Sequence, residues 1–302
     1  MNSGVDYAGP INVRTSKGRG HHSHKAWICI FVCCASRSVH LELVSDYTAE
    51  ALIAAYIRFI SRRGLCRTLS SDEGTNFVGA DCQLQKMFSE ASAEFASVAT
   101  YLASHGTQWK FNPPATPHFG GLWEAAVKST KFHLRQVIGD STLTFEEMTT
   151  LLTQIEACLN SRPLRAQSDD PTDISALTPG HFLIGGPLNA VPEPSLADVL
   201  PNRLTRWELI QQMRDHFWKR WSAEYWKELQ PRSKWTTSSP SIQIGDLVLI
   251  RHENLPPTQW TMGRVLQLHP GKDGLVRVVT LKTKTNTLDR PIVKLCLLPR
   301  SS

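Results

Sequence analysis

The sequence predicts an α/β domain built on a mixed sheet, followed by a long helix and a small β-barrel. Near the N-terminus, three apolar or alternating segments separated by polar turns indicate neighbouring strands. An amphipathic segment of helical length then leads into a further short apolar segment, as expected of a helical crossover within a sheet. Towards the C-terminus, short apolar or alternating segments are separated by turns that contain Gly or Pro, which is typical of a small barrel.

The first three predicted strands span residues 6–14, 26–34 and 38–44. The middle one is continuously apolar, which predicts a central strand buried on both faces. The third alternates apolar and polar residues, with His40 and Glu42 on its polar side. This alternation predicts a half-buried strand whose polar side faces water.

A helix is predicted over residues 48–63, which carry an apolar face. Thr48 or Asp46 can cap its start, and Gly64 can end it, before the chain returns to a strand at 66–71. The other elements predicted for this domain are helical structure at 80–105, a strand at 108–111, a helix at 122–137, and a helix at 144–160 that opens on a capping box.

The second half of the chain begins with polar residues 165–180, predicted to be irregular, and the apolar run 182–184, expected to pack back onto the core. The aromatic residues of a long helix at 204–229 are more typical of packing than of base stacking. The predicted barrel strands are 241–250, 263–268, 276–282 and 292–298. The predicted domains are a core at 1–185, a Gly- and Pro-rich linker at 186–203, and the helix with the barrel at 204–302.

Three carboxylates mark the candidate site. Asp72 follows the predicted strand 66–71 and precedes Gly74, which is a common position for a catalytic or metal-binding group in α/β folds. Asp6 opens the first strand, and Glu124 lies in the first turn of a helix that follows a Pro/Gly-rich loop. Carboxylates repel one another and are tolerated together mainly around cations, and Mg²⁺ or Mn²⁺ prefers such oxygen ligands. The alternative for Asp72 is a turn cap without chemistry.

Four segments carry a family resemblance: VDYAGP at 5–10, SDEGTNF at 71–77, HFGGLWE at 118–124 and LTPGHFLIG at 177–185. Each segment is weak alone, but all four occur in the expected order. With them the chain resembles the integrases of BEL/Pao-type retrotransposons, within the retroviral-integrase superfamily of ribonuclease H-like folds. The resemblance extends over nearly the whole chain.

The resemblance implies a ribonuclease H-like core, a mixed five-stranded sheet with flanking helices, and an SH3-like C-terminal barrel. It implies DNA 3′-end processing and strand transfer, with Asp6, Asp72 and Glu124 as catalytic residues that hold two Mg²⁺ or Mn²⁺ ions. The implied partners are double-stranded DNA and further copies of the chain, and the implied location is the nucleus, with a cytoplasmic particle stage for an active element. The spacing of 52 residues between Asp72 and Glu124 is longer than in retroviral integrases.

The charge distribution predicts where DNA binds. Residues 1–185 hold 16 Lys and Arg against 17 Asp and Glu, whereas residues 186–302 hold 17 against 10. This excess in the second half favours contact with the nucleic-acid backbone, the alternative being a basic surface that only aids solubility. The predicted DNA-binding residues are His118 and Gly120 in the loop, Lys128, Lys131 and Arg135 on the following helix, and Lys282 and Lys284 on the barrel.

Two of these assignments have structural alternatives. Glu124 and Lys128 are four residues apart and can form an ordinary solvent-exposed pair on the helix. The loop around His118 and Gly120 can act as a rigid cap on the sheet edge rather than as a DNA contact.

The cysteines and the hydropathy exclude other classes. The seven cysteines lack a CxxC pair and lie mostly in apolar segments, which predicts reduced, buried thiols of an intracellular protein. His21, His22 and His24 lack paired cysteines and indicate a polar turn rather than a zinc site. The N-terminus does not resemble a signal peptide, and no apolar run has the length of a bilayer span.

Two other functions remain open from the sequence. The chain begins just before Asp6 and lacks the N-terminal zinc module of related integrases. We therefore expect a clipped first strand, and these losses favour a truncated or host-captured DNA-binding protein without full integration activity. A ribonuclease H-like nuclease of another kind would share the sheet, but the basic barrel and the Pro/Gly loop before Glu124 favour it less.

Overall fold

The computed structural model describes residues 1–16, 22–71, 106–111, 121–189, 193–200, 203–230, 242–252 and 255–300. The chain divides into two compact units, Met1–Glu156 and Ala157–Ser302. Compact units and sequence domains need not share their limits, so the predicted division near residue 185 stays a prediction. The predicted helical region 80–105 lies outside the described residues.

The first unit is built on a mixed sheet. Its strands are β1 (Asn2–Arg14), β2 (Ser23–Cys33), β3 (Val39–Val44), β4 (Thr68–Ser71), β5 (Gln108–Phe111) and the short β6 (Leu143–Thr144). The order is β3-β2-β1-β4-β5, with β6 paired to β1. β1 to β3 are antiparallel, whereas β4 runs parallel to β1 and β5 parallel to β4. β1 therefore lies in the middle of the sheet.

The predicted start of the first strand at Asp6 is wrong, because β1 starts at Asn2 and has 13 residues. Its first residues pair on both sides. Ser3 lies opposite Cys33 of β2, and it also pairs with Leu69 of β4. Backbone pairing on two sides holds these residues in the sheet, although they are small and polar.

Helix α1 (Ala49–Arg63) packs on one face of this sheet. The side chain of Thr48 accepts a hydrogen bond from the backbone of Ala51, and Gly64 ends the helix with φ of 85°, as predicted. The ring of Phe59 on α1 stacks on Phe31 of β2 with centroids 4.3 Å apart. The residues that share this core are Val5, Tyr7, Cys29, Phe31, Val44, Leu52, Ile53, Ala55, Tyr56, Phe59, Cys66 and Leu69.

Two further helices follow, α2 (Gly121–Ile138) and α3 (Phe145–Asn160), close to their predicted bounds. The predicted capping box is present, because Thr144 and Glu147 exchange backbone-to-side-chain hydrogen bonds of 2.9 and 3.2 Å.

No helix in the described ranges is long and apolar enough to cross a membrane. All six cysteines in the described ranges are free thiols, and all but Cys34 are buried, as predicted.

The second unit contains a five-stranded antiparallel sheet. Its elements are the two-stranded pair β7 (Arg165–Ala166) and β8 (Ala176–Leu177), α4 (Pro179–Ile184), α5 (Arg206–Leu229), β9 (Leu247–Ile250), β10 (Met262–Pro270), β11 (Val276–Lys282), β12 (Thr287–Pro291), a 3₁₀ turn (Ile292–Lys294) and β13 (Leu295–Leu297). The order is β12-β11-β10-β9-β13. Val248 and Ile250 face one core, while Leu249 between them packs with Trp226 of α5. β9 is therefore buried on both sides.

Two predictions for this unit are wrong. Residues 165–180 are not wholly irregular, since β7 and β8 pair there. The run 182–184 does not pack onto the core, because Phe182 and Ile184 are 57% and 62% exposed. Pro179 and Gly180 are the buried residues of α4 instead. A Cβ on Gly180 would lie 3.0 Å from the backbone nitrogen of Leu188, so this side of α4 lies against the chain that follows.

The aromatic residues of α5 pack inside the second unit, as predicted. Phe217, Trp218, Trp221 and Trp226 are buried, whereas Trp207 at the start of the helix is 49% exposed. The indole N–H of Trp218 donates a hydrogen bond to the carbonyl of Leu255, so the polar group of this buried side chain has a partner.

Residues 193–200 of the predicted linker lie along α5. The side-chain amide of Gln212 donates hydrogen bonds to the carbonyls of Leu196 and Val199. The guanidinium of Arg214 pairs with Glu193 at 2.7 Å and with its neighbour Asp215 at 2.9 Å. These bonds fix residues 193–200 against the helix.

Candidate functional site

Asp6 lies near the middle of the central strand. Val5 and Tyr7, its neighbours in β1, both belong to the core under α1. Because side chains alternate along a strand, Asp6 projects from the opposite face. Its Oδ1 accepts a hydrogen bond of 2.7 Å from the backbone N–H of Tyr7, and its side chain is 20% exposed. The face opposite α1 thus carries a half-buried carboxylate at the centre of the sheet.

Lys131 of α2 reaches this carboxylate. Its Nζ lies 2.5 Å from Oδ2 of Asp6, and the lysine side chain is 32% exposed. On the same helix Val127, Leu134 and Ile138 are buried, which fixes the helix with Lys131 at the edge of its packed face. The sequence predicts Lys131 as a DNA contact, and the structure brings it to Asp6, 125 residues away in the chain.

The structure describes only some of the other residues predicted for this site. Lys128 and Arg135 are exposed on α2. The backbone of Glu124 lies in the first turn of α2, and its side chain is outside the described part of the structure. Asp72, His118 and Gly120 also lie outside it. Within the described ranges no three His, Cys, Asp or Glu residues form a group that could hold a metal ion, so the three-carboxylate site stays a prediction.

The pairing of β1 with β4 shows which end of β4 lies beside Asp6. Gly4 lies opposite Ser70, and β4 ends one residue later at Ser71, which is fully buried. The C-terminal end of β4 is therefore next to the part of β1 that carries Asp6.

The predicted DNA contacts in the second unit, Lys282 and Lys284, lie at one end of β11. Lys282 is its last residue and is exposed, and exposed Lys284 follows in the turn to β12. The hydroxyl oxygen of Thr283 accepts the backbone N–H of Asn286, and its hydrogen has the carbonyl and Oδ1 of Asn286 as alternative acceptors, so hydrogen bonds close this turn. Two ammonium groups are thus presented to solvent from an ordered turn.

Sequence reasoning missed a buried charged network on β3. All six residues of β3 are buried, so the prediction that His40 and Glu42 face water is wrong. Arg58 and Arg62 of α1 each lie 2.6 Å from Glu42, and Arg63 pairs with Glu156 of α3. The alternation of β3 is genuine, but its polar side is covered by arginines and a glutamate that the pattern of β3 alone cannot reveal.

His40 lies between the two glutamates. Its Nε2 lies 3.0 Å from Glu42, and its Nδ1 lies 3.0 Å from Oε2 of Glu156 without a well-aligned hydrogen bond. Oε2 of Glu156 also accepts the backbone N–H of Leu41 at 2.9 Å. Residues of this network line a cavity of about 610 Å³ bounded by β3, α1 and α3.

Burial and pairing act in opposite directions on the pKa values of this network. Burial alone would lower the pKa of His40, but the carboxylates of Glu156 and Glu42 outweigh it, so the pKa of His40 is raised. Burial would raise the pKa of both glutamates, but His40 and the arginines hold the pKa of each below its ordinary value. Each group therefore stabilises the charged form of the others.

A model for a family of unknown function (DUF5641) matches residues 205–298, which span α5 and the five-stranded sheet. A comparison with curated proteins gives no match. Among solved structures, the chain is similar to a chain of the simian T-cell lymphotropic virus intasome in complex with PP2A regulatory subunit B56 gamma, determined by cryo-EM. That similarity is 14% in sequence, covers 99% of this chain and 79% of that one, and has a TM-score of 0.38.

Proposed function

We propose that this protein is a metal-dependent polynucleotidyl transferase of the integrase type, which trims DNA 3′ ends and joins them to a second DNA. The observation that carries the proposal is the position of Asp6. It lies on the central strand of a sheet ordered β3-β2-β1-β4-β5, beside the C-terminal end of β4. The proposal includes a BEL/Pao-type retrotransposon origin, a nuclear site of action and assembly as a homo-oligomer.

The topology supports the finer fold assignment. Three antiparallel strands followed by two strands added in parallel on the side of β1 are the arrangement expected of a ribonuclease H-like core. In the second unit, the order β12-β11-β10-β9-β13 with a 3₁₀ turn before the last strand is the arrangement expected of an SH3-like barrel.

Chain connectivity supports a second carboxylate near Asp6. Asp72 follows Ser71 directly, and consecutive Cα atoms are about 3.8 Å apart. The end of β4, after which Asp72 follows in the sequence, lies next to β1. Glu124 belongs to α2, the same helix from which Lys131 contacts Asp6.

The residues fit a divalent metal ion. Two aspartates and a glutamate supply only hard oxygen donors, which Mg²⁺ and Mn²⁺ prefer. Oδ2 of Asp6 already binds a cation, the ammonium group of Lys131, so the position accepts positive charge. We propose that Asp6, Asp72 and Glu124 hold two such ions.

In the proposed reaction the chain positions DNA and neutralises charge. Bound metal ions would supply an activated water or 3′-hydroxyl and stabilise the leaving 3′-oxygen. Lys128 and Arg135, exposed on α2, bind phosphates beside the site, and the loop with His118 and Gly120 contacts the same DNA. Lys282 and Lys284, exposed at the end of β11 and in the turn that follows it, bind the DNA backbone. In-line attack at phosphorus needs no covalent intermediate, so no Ser or Cys nucleophile is required.

A strand-transfer assay tests this function. The full chain is incubated with Mn²⁺ or Mg²⁺, a labelled duplex that carries the terminal sequence of a candidate element, and a plasmid target. We expect metal-dependent shortening of the 3′ end and labelled products joined to the plasmid. Tight duplex binding without either product, in both metals and with several candidate ends, would favour a DNA-binding protein that no longer integrates.

The barrel contacts give a separate prediction. Replacing Lys282 and Lys284 together by Ala should weaken duplex binding by the full chain, because two phosphate contacts are lost. The slope of log K against log salt concentration should become less steep by about two. Fluorescence anisotropy at several salt concentrations measures both quantities, and sequence preference should not change.

The matched control for this pair is Lys272→Ala, because Lys272 is also exposed but lies in the turn at the other end of β11. For Lys272→Ala we expect little change in the slope of log K against log salt concentration. If Lys272→Ala weakens binding as much per charge as the double variant, the barrel acts only through its general positive charge, and the assigned contact surface is wrong.

A further inference from the structure

We propose that Lys131 is a built-in counter-ion of Asp6, which a divalent metal ion displaces and which then binds DNA phosphate. The proposal rests on the function proposed above. It adds that one side chain couples metal binding to DNA binding, and it makes Lys131 a positioning residue in both states.

The geometry of Asp6 leaves Lys131 as its partner on Oδ2. Oδ1 accepts a hydrogen bond from the backbone N–H of Tyr7, the next residue of the same strand. Oδ2 is bound by Nζ of Lys131. A metal ion on a carboxylate oxygen lies about 2.1 Å from it, so an ion on Oδ2 would approach the ammonium group closely. Two cations so close repel one another strongly, and the monovalent, flexible one moves.

The ion pair has a reason to exist in the metal-free protein. Asp6 is only 20% exposed, and a partly buried carboxylate without a cation is costly. Lys131 removes that cost when no metal ion is present. The pair also resists metal binding, because the ion must compete with an ammonium group already in place.

Once released from Asp6, the side chain of Lys131 can join two other cationic side chains of α2. Lys128 and Arg135 lie three residues before and four residues after Lys131, so all three side chains project from neighbouring positions of α2. Lys128 and Arg135 are exposed there. A lysine freed from Asp6 adds a third cation to this stripe, where DNA phosphates are proposed to bind. By linkage, metal binding then strengthens DNA binding, and DNA strengthens metal binding by the same factor.

An ordinary structural ion pair would behave differently. If Lys131 only stabilised the fold, its removal would lower the melting temperature and leave metal affinity unchanged or weaker. If it competes with the metal ion, its removal strengthens metal binding. The direction of change in metal affinity therefore separates the two roles.

The experiment measures Mn²⁺ binding to the full chain without DNA, from the electron paramagnetic resonance signal of free Mn²⁺. We expect Lys131→Met to bind Mn²⁺ about tenfold more tightly, which is the size expected when a half-buried pair no longer competes. Lys131→Arg keeps the cation and should bind Mn²⁺ as weakly as the wild type or more weakly. The matched control is Lys25→Met, which removes an exposed lysine of β2. Lys25 lies opposite Asn12 of β1 in the sheet, and Asn12 is six residues from Asp6 along that strand. Its Mn²⁺ affinity should not change, because a distant exposed charge is screened.

A second titration adds duplex DNA. The duplex should lower the Mn²⁺ dissociation constant of the wild type more than that of Lys131→Met, since only the wild type can move Lys131 onto phosphate. Equal or weaker Mn²⁺ binding by Lys131→Met, or tighter binding by Lys131→Arg, would overturn the counter-ion role while the proposed function stands. If neither the wild type nor any variant binds Mn²⁺, the proposed metal-dependent function itself is wrong.

Discussion

Asp6→Asn is expected to lower the strand-transfer rate of the full chain by on the order of a thousandfold and to leave duplex binding intact or stronger. The amide keeps the shape of the carboxylate but loses the charge that a divalent ion requires. It can still accept the hydrogen bond of 2.7 Å from Tyr7, so the strand around it should be preserved. Gel analysis of joined products and anisotropy with the same duplex measure the two effects side by side.

The matched control is Asp140→Asn, because Asp140 is exposed in the turn after α2 and has no proposed role. It should transfer strands at the wild-type rate. Asp72→Asn should behave like Asp6→Asn, since both residues are proposed to hold the same ions. If Asp6→Asn loses DNA binding and activity together, with a lower melting temperature, the residue supports the fold. Wild-type activity in that variant would remove Asp6 from the site.

The elements that the sequence predicts well are those whose signals are local. Thr48 and Gly64 limit α1 because a side-chain cap and a glycine with positive φ act within one turn of the helix. The apolar run of β2 predicts a central strand because burial on both faces leaves no polar position. Such features depend on residues a few positions apart, so a single sequence contains them.

The features that the sequence does not predict depend on distant partners. Leu41 donates its backbone N–H to Glu156 across 115 residues, and Lys131 contacts Asp6 across 125. The polar side of an alternating strand such as β3 can face either water or a second layer of structure. The positions of α1 and α3 decide between the two, and the pattern of β3 does not contain them. Likewise, Phe182 and Ile184 are apolar yet exposed, because Pro179 and Gly180 occupy the packed side of α4. Candidate site residues can thus be chosen from sequence, but not their partners.

Glu156→Ala should lower the free energy of unfolding of the first unit by about 3 kcal/mol near pH 6, because removing one member of a buried charge network leaves the others unpaired. Glu156 pairs with His40 and Arg63 and accepts the N–H of Leu41. Because the chain forms two compact units, unfolding of the whole chain need not be two-state. Hydrogen exchange of the β3 and α1 amides measures the loss in this unit directly.

The pH dependence of this loss follows from the pKa shifts. The pKa of His40 is raised above its ordinary 6.5, so its contribution is complete below that value and is lost as pH rises through the raised pKa. The pKa values of Glu42 and Glu156 are lowered from 4.5, so their contributions are complete above 4.5 and are lost as pH falls through the lowered values. The wild type should therefore gain most from the network between about pH 4.5 and 6.5.

In Glu156→Ala the difference from the wild type should be largest in that window. It should shrink on the acid side, where carboxylates become protonated, and on the alkaline side, where His40 loses its proton, although the Arg63 pair persists there. The matched control is Glu146→Ala, since Glu146 is exposed in the first turn of the same helix and should cost less than about 1 kcal/mol at every pH. A loss for Glu156→Ala no larger than that of Glu146→Ala, or one that does not vary with pH, would mean that the network contributes packing but little electrostatic stability.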